Sequence, residues 1–398
     1  MKKLNSSSIP RAHNPNQKNL FLIACSFFLW GIGEGLFFYF QPIYLEQLGA
    51  EPLVIGTIFG LNGLVMTLVQ TPAGHLCDRL GNRTVMIISW TIGTLATCIM
   101  AFSSSLIGFA IGWILYGASV INAATSGYIT NVRGKMSVGR ALTLVSAMYH
   151  LGAFIGPVVG GQIGERFGLY LIYRISVVFF IFSSLIILIT RSEATPSTQH
   201  EEPRGNLLKI KPFVVLLVIS FITIFSGYLA EPFTPNYLQD YHSLSLTEIG
   251  KLGSIGSLGN AIVALIFGGI APFAGILLGH GFLLVYSTLI WRGSNMIWFA
   301  IGFFLRGGYR IFQAMYLSVA RELFSASEMG FAYGLMATAN SLAIILAPPT
   351  AGYLYEISPG LIYIVSIILL IVTLTVNHFA SRYFKKVTHH PKVIGKQP

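Results

Sequence analysis

Charge is what this sequence has least of. Acidic and basic residues make up 10% of its 398 positions, against roughly 25% in a soluble protein. A soluble globular chain cannot cover its surface with so few charges. A disordered chain shows the opposite bias, low hydrophobicity with high charge. Cysteine is scarce as well. Cys25 and Cys98 fall inside apolar runs and Cys77 in a basic loop, and no two have metal-ligand spacing, which argues against a structural disulfide or zinc site. No G-x-x-x-x-G-K-[ST] phosphate loop and no extended soluble domain is present. An enzyme or ATP-driven pump is therefore not expected, and no cofactor or metal is implied.

What is abundant is apolar. Hydrophobic residues are 54%, mean hydropathy is +0.70, and 42 residues are glycine, a residue more frequent in membrane helices than in soluble ones. Charge or Pro/Gly divides the chain into twelve apolar spans, at about 19–45, 52–73, 84–103, 105–130, 140–165, 168–190, 212–238, 246–269, 272–291, 294–320, 329–355 and 358–381. A helix needs about 20 apolar residues to cross a bilayer, and unpaired backbone groups in lipid leave only helices or closed barrels. The alternation of a barrel strand is absent. The expected fold is an all-α membrane protein with twelve transmembrane helices. Met1 to Lys18 is polar and basic, and the run after it lacks a small-residue cleavage site, so it reads as a retained first helix and not a signal peptide.

The net charge of +11 would suit nucleic acid, but its placement does not. Nineteen of the 25 Lys and Arg fall in the tails and alternate loops that share a side with the N-terminus, among them Lys2, Lys3, Arg11, Arg133, Arg204, Arg321, Lys385, Lys386, Lys392 and Lys396. The opposite loops keep only Arg166 and Arg292, while Arg174, Lys251, Arg306 and Arg310 lie within spans. The positive-inside rule then puts both termini in the cytoplasm, and an even number of spans agrees. The longest polar interruption, RSEATPSTQHEEPRGNLLKIK, follows span six. Expected boundaries are a cytoplasmic tail at 1–18, a six-helix half at 19–190, a cytoplasmic linker at 191–211, a second half at 212–381 and a tail at 382–398.

An internal repeat supports the two halves. FAIGWILYG at 109–117 recurs as FAIGFFLRG at 299–307, PIYL at 42–45 as PNYL at 235–238, and PVVGGQIGE at 157–165 as PPTAGYLYE at 348–356. The offsets stay between 190 and 193. Parallel six-helix halves related by an axis along the membrane normal are a transporter architecture.

The loop after span two reads GHLCDRLGNR, with Gly74, Asp78, Arg79, Gly81 and Arg83. It resembles the G-x-x-x-D-R-x-G-x-R loop of the major facilitator superfamily. Span five carries Gly152, Gly156, Pro157, Gly160 and Gly161, similar to the G-x-x-x-G-P-x-x-G-G element of that superfamily's drug/proton antiporter-like members. Gly74 and Gly81 would permit tight turns, and Asp78 would suit a helix N-terminus, where the macrodipole favours an anion. The resemblance implies that this terminus is the start of span eleven, with Arg79 and Arg83 helping to latch the cytoplasmic side shut. The alternative is a basic loop that only sets topology. Three features depart from the family. The equivalent loop around 269–275 has no Asp or Arg, span four lacks a buried Arg, and Thr190-Arg-Ser-Glu193 is a poor match to the P-E-S-P-R signature of sugar carriers.

Small residues recur on spans five (Gly152, Gly156, Gly160, Gly164) and eight (Gly250, Gly253, Gly256, Gly259). They also recur on spans two (Gly56, Gly60, Gly63) and eleven (Gly330, Gly334, Ala337). Such stripes allow close helix approach, and in the family five meets eight and two meets eleven across the halves. They read as structural in any case.

Charges inside spans are the sharpest functional signal, because an ionisable group there is costly or paired. Glu34 lies near the middle of span one, with Trp30, Phe37, Phe38 and Gln41 on its helical face. Arg306 and Arg310 in span ten are four apart, with Tyr309 and Gln313 beside them, and Glu231 lies in span seven near Tyr228. The resemblance implies that spans one, four, seven and ten line a central cavity, which adds Asn122, Thr125 and Ser126 of span four as polar contacts. Glu34 is the candidate for proton coupling. The alternative is a structural Glu34–Arg310 or Glu231–Arg306 pair. Arg174 and His150 read as structural.

The expected function is secondary-active transport of a small-molecule substrate by alternating access, with the proton as coupling ion and efflux of a hydrophobic or amphipathic compound. Uptake or exchange of an organic anion is the alternative within the class, and a non-transporting membrane sensor or scaffold the alternative outside it. The partners implied are the substrate, the proton and the lipid bilayer of a bacterial or archaeal cytoplasmic membrane. The chain reads as a monomer.

Overall fold

A computed structural model of the protein describes residues 15–191, 207–267, 270–324 and 328–389. Most of both basic tails, the linker around Arg204 and residues 325–327 lie outside that set, as do the side chains of Gln313, Gly330, Lys385 and Lys386. Among the described residues there are sixteen α-helices and two short 3-10 turns, and no strand.

Six of the helices build the simple spans of the two halves together with α11 and α12. These are α3 (Pro52–Leu80), α4 (Asn82–Phe102), α7 (Val138–Phe167), α8 (Leu169–Ile189), α15 (Met329–Ile357) and α16 (Leu361–His389), with α11 at Leu246–Phe267 and α12 at Pro272–Arg292. The other four spans are broken. Span one is α1 (Pro15–Phe37), a 3-10 turn at Phe38–Phe40 and α2 (Gln41–Gln47). Span four is α5 (Leu106–Gly117) and α6 (Asn122–Val132), bent by 44°. Span seven is α9 (Lys211–Tyr228) and α10 (Thr234–His242), and span ten is α13 (Met296–Leu305) and α14 (Gly308–Arg321). Among the described residues ten segments, span one taken whole, are long and apolar enough to cross a membrane, and the bent pair α5–α6 makes an eleventh. The split pair α13–α14 takes the place of span ten in the second half. Non-helical backbone at membrane depth survives only where protein or a wet cavity satisfies it. All four breaks fall on the spans expected to line a cavity.

Local chemistry places the ends. Gly81 and Gly168 have φ of +82° and +90°, a region that costs glycine nothing. Each alone joins two long helices, α3 to α4 and α7 to α8. Gly74 makes no turn: it lies inside α3 with helical neighbours on both sides. Ser105 and Asn295, 190 positions apart, cap spans four and ten by accepting from Gly108 N and from Ile297 and Trp298 N. Ser245 and Glu248 form a reciprocal capping box at the start of α11, with bonds of 2.9 and 3.2 Å.

The repeat also shows in the buried polar contacts. Trp90 donates to Ser183 Oγ at 3.0 Å in the first half. In the second half His280 meets Thr373 Oγ1 at 3.1 Å, and both positions are displaced by 190. The fold is two pseudo-symmetric six-helix halves.

The halves meet along two seams, α3 with α15 and α7 with α11. Both are tight at the end away from the termini. A Cβ on Gly56 would strike the Pro348 carbonyl, and one on Gly250 the Pro157 carbonyl. Two carboxylates cross the seams in matching fashion. Glu165 at the end of α7 accepts from Thr247 N at 2.9 Å, and Glu356 at the end of α15 accepts from Leu53 N at 2.9 Å. Each caps a helix of the opposite half.

At the end that holds the termini the seams part. Gly74 on α3 and Gly334 on α15 face open space, so Gly334 does not serve the expected contact with span two. Ile345, Pro348 and Pro349 do. Gly152, Gly156 and Gly160 also differ from expectation. They pack on Phe28, Gly35 and Leu36 of span one within their own half, while Pro157 and Gly161 of the motif meet span eight, at Gly250 and Leu246. A helix presents one face per 3.6 residues, so a four-residue stripe serves one neighbour, and here that neighbour is α1.

Candidate functional site

Between the halves, at the depth of the four helix breaks, lies a cavity of about 400 Å³. Its first-half wall centres on Glu34. The Glu34 carboxylate accepts from Tyr149 Oη of α7 at 3.0 Å. Beside it the Trp30 indole donates to Tyr116 Oη at 3.1 Å. These aromatic donors stand where water would otherwise solvate the anion, the arrangement a buried carboxylate requires.

The second-half wall carries the arginines. Arg306, 8% exposed, lies at the break of span ten and donates to Glu231 Oε1 at 2.8 Å and to Tyr39 Oη at 2.6 Å. Its guanidinium also lies over the Tyr39 ring, 5.2 Å from the centroid. Tyr39 belongs to the first half, so one buried cation ties both halves together. The Tyr39 ring rests on Gly253 of α11, where a Cβ would displace it. Arg310, one turn on, is exposed to the cavity. Among the described residues it has no carboxylate within ion-pairing distance. Of the two ion pairs considered from sequence, Glu231–Arg306 forms and Glu34–Arg310 does not.

The cavity brings together Glu34, Phe38, Asn122, Tyr228, Glu231, Arg306, Tyr309 and Arg310. Three candidates from span one lie elsewhere. Phe37 is fully buried, stacked on Tyr173 at 5.3 Å. Gln41 is fully buried, with Nε2 toward Met100 Sδ at 3.9 Å. Trp30 packs on Phe180 at 4.1 Å. The reason is geometric. Trp30 and Phe37 lie on one flank of Glu34 and Phe38 on the other. The carboxylate marks the border between cavity and half-core, and the 3-10 turn at Phe38–Phe40 breaks the helical register before Gln41. The Gln313 side chain lies outside the described residues. Thr125 bonds back to Ile121 O at 3.2 Å.

Sequence reasoning did not single out Tyr39, Tyr149, Ser257 or Asn260, all of which line the cavity. Ser257 and Asn260, three apart in an apolar span, were the available signal. His150, expected to be structural, also lines the cavity. Arg174 stacks on Tyr170 and Phe102, at 5.2 and 5.9 Å from their centroids. In the gating loop Asp78 and Arg79 are exposed on the last turn of α3. Arg83 turns instead to its own half, donating to Thr190 O at 2.8 Å and Leu188 O at 3.0 Å. Those are the orphan carbonyls at the end of α8.

Comparison with known proteins agrees with this architecture. The quinolone resistance protein NorA of Staphylococcus aureus is 23% identical over 363 residues, 85% of this chain and 90% of NorA. An uncharacterized MFS-type transporter of Methanocaldococcus jannaschii is 30% identical over 155 residues, which is 38% of this chain and 40% of that protein. The nucleoside transporter NupG superposes with a TM-score of 0.72 at 15% identity, covering 94% of this chain and 99% of NupG. The human organic anion transporter MFSD10 gives 0.64 at 16% identity, covering 92% of this chain and all of the MFSD10 chain. The profile of the Major Facilitator Superfamily matches residues 23–291, and the chain belongs to that family as a multi-pass membrane transporter.

Proposed function

We propose that the protein exports a hydrophobic or amphipathic compound across a bacterial or archaeal cytoplasmic membrane in exchange for protons, with Glu34 as the proton-carrying group. The observation that carries this reading is the Glu34 carboxylate on the cavity wall, held by Tyr149 and facing a cavity that also contains Arg310. An ionised carboxylate resists enclosure in an apolar cavity, and a protonated one does not. Protonation of Glu34 would therefore favour closure around an empty site. Release of the proton would restore an anion able to hold the polar part of a substrate. NorA, a quinolone resistance protein by name, supports export. The excess of Lys and Arg on the terminal side makes the open end cytoplasmic, so the conformation described is open inward. The test is flux in proteoliposomes with and without an imposed pH gradient. Accumulation that requires the gradient, and is lost in Glu34→Gln while downhill exchange persists, supports the proposal. Full gradient-driven transport by Glu34→Gln refutes it.

A second reading, uptake or exchange of an organic anion, rests on Arg310 alone, a cation exposed in the cavity. Proteoliposomes loaded with a small organic acid separate the two: counterflow of the acid that is lost in Arg310→Gln favours the anion.

A further inference from the structure

The last helix is longer than a membrane crossing needs. α16 has 29 residues, about 43 Å at 1.5 Å per residue, against a hydrocarbon core of about 30 Å. It starts at Leu361, just past Glu356 and the closed end. About 20 residues cross the core, so the far boundary falls near Ala380. There α16 changes character. His378, Arg382 and Tyr383 are exposed, and Lys385 and Lys386 follow within a turn. Tyrosine and basic side chains at this depth belong to the headgroup region.

At the same depth a groove of about 400 Å³ opens between α12 and α16. It shares no residue with the central cavity. Leu277, Leu374 and Phe379 supply its apolar wall, Thr375 and His378 its rim. The two helices touch on either side of it. His280 meets Thr373 toward the membrane centre, and the Phe273 and Phe384 rings lie 5.7 Å apart toward the terminal end. Arg382 stands at the mouth, where its Nη2 donates to His378 Nε2 at 3.2 Å and its guanidinium lies 5.9 Å from the Phe379 centroid. Among the described residues no carboxylate is within ion-pairing distance of Arg382. Neither α12 nor α16 could supply one, since no acid occurs between Glu248 and Glu322 or after Glu356. Arg382, Lys385 and Lys386 therefore put three positive charges within five positions with nothing on either helix to offset them.

We infer that this groove binds one anionic phospholipid of the leaflet on the side of the termini. An acyl chain lies along Leu277, Leu374 and Phe379, and the headgroup phosphate meets Arg382, which His378 orients. The apolar wall alone would take any lipid, because lipid tails and leucine side chains are equally apolar. The charge at the mouth selects among them. A phosphatidylcholine phosphate carries its own cation and gains little from three more, whereas a phosphatidylglycerol headgroup has none. Attraction of anionic lipid to basic side chains at the membrane surface amounts to about fivefold per charge, and basic pockets between helices at this level are where such headgroups bind. The site is independent of the solute transported and of Glu34.

The test uses the full-length protein in nanodiscs of equal parts phosphatidylglycerol and phosphatidylcholine. A trace of one lipid or the other carries a photoreactive diazirine midway along an acyl chain, and labelled residues are mapped by mass spectrometry. The expected result is about fivefold or more label from the glycerol lipid than from the choline lipid at residues 274–281 and 371–379. The same ratio should be clearly lower at the terminal ends of α4 and α8, which carry Arg83 and precede Arg191. Equal ratios at all these helix ends would show a basic surface and no site, and would overturn the inference without any variant. Arg382→Gln combined with Lys385→Gln and Lys386→Gln should bring the ratio at the groove down to that of α4 and α8, with labelling elsewhere unchanged. A ratio that survives the triple substitution overturns the inference as well. Displacement of the label by millimolar sn-glycerol 3-phosphate would reassign the site to a soluble phosphate and overturn the lipid.

Discussion

Among the described residues Tyr39 is the one side chain of the first half that bonds the buried Arg306 of the second, so removing its hydroxyl should loosen the closed end selectively. In Tyr39→Phe the ring keeps its seat on Gly253 and under the guanidinium. Only the 2.6 Å hydrogen bond is lost. A hydrogen bond to a charged group contributes about 1.5–3 kcal/mol. Arg306 retains Glu231, so no buried charge is stranded and the larger penalty of breaking an ion pair is avoided. Because the bond spans the halves, it exists only while that end is shut. Its loss should shift the balance between closed and open by about 10- to 150-fold toward open. Spin labels at Phe167 and Ile357, exposed on opposite halves at that end, would report the distance distribution by double electron–electron resonance. A longer-distance population should grow in Tyr39→Phe. A population ratio within twofold of the parent's would refute the idea that this bond biases the closed end.

The paired carboxylate caps predict a salt-sensitive effect. Glu165→Gln with Glu356→Gln should open the same end a few-fold at low ionic strength and hardly at all in high salt, since exposed charges are screened, and the same labels measure it. Gly250→Val should collide with the Pro157 carbonyl and cut transport more than tenfold while secondary structure by circular dichroism persists. Asp78→Asn should weaken the state closed at the terminal end by roughly 1 kcal/mol, the scale of a charge at a helix terminus. Cysteine labelling at the terminal ends of α3 and α15 checks this, and unchanged labelling refutes the latch.

The spans were legible because apolar length is a strong signal. Span eight was expected to begin at 246 and α11 does so. The breaks were less legible. Span four bends at Ala118–Ile121, just after Gly117, where Ser89 and Gln70 of neighbouring helices donate to the freed Ser119 and Val120 carbonyls, partners that lie far away in sequence. The charges of the cavity could be found from their burial cost, but not their pairing. Glu231 and Arg306 are 75 residues apart, and which acid meets which arginine depends on how spans seven and ten cross. Tyr149 escaped notice because a tyrosine in an apolar span is commonplace. Its role beside Glu34 follows from the tertiary approach of α7 to α1.

The duplication explains why the site is asymmetric on a symmetric frame. Arg306 corresponds to Tyr116 at the offset of 190 that relates spans four and ten, and at the offset of 193 that relates PIYL to PNYL Glu231 corresponds to Phe38 and Glu34 to Gly227. The second half holds a buried ion pair where the first has neutral groups, and the first half holds a carboxylate where the second has a glycine. Charges at all six positions would multiply the desolvation cost. A fully apolar set would leave nothing for a charged or polar ligand to bias. An equilibrium between two states moves only by the difference in a ligand's affinity for them. The matching Glu165 and Glu356 caps both lie at the end away from the termini and favour closure of that end. In the proposed cycle the unmatched Glu34, Tyr39 and Arg306 supply the difference that a proton or substrate acts on.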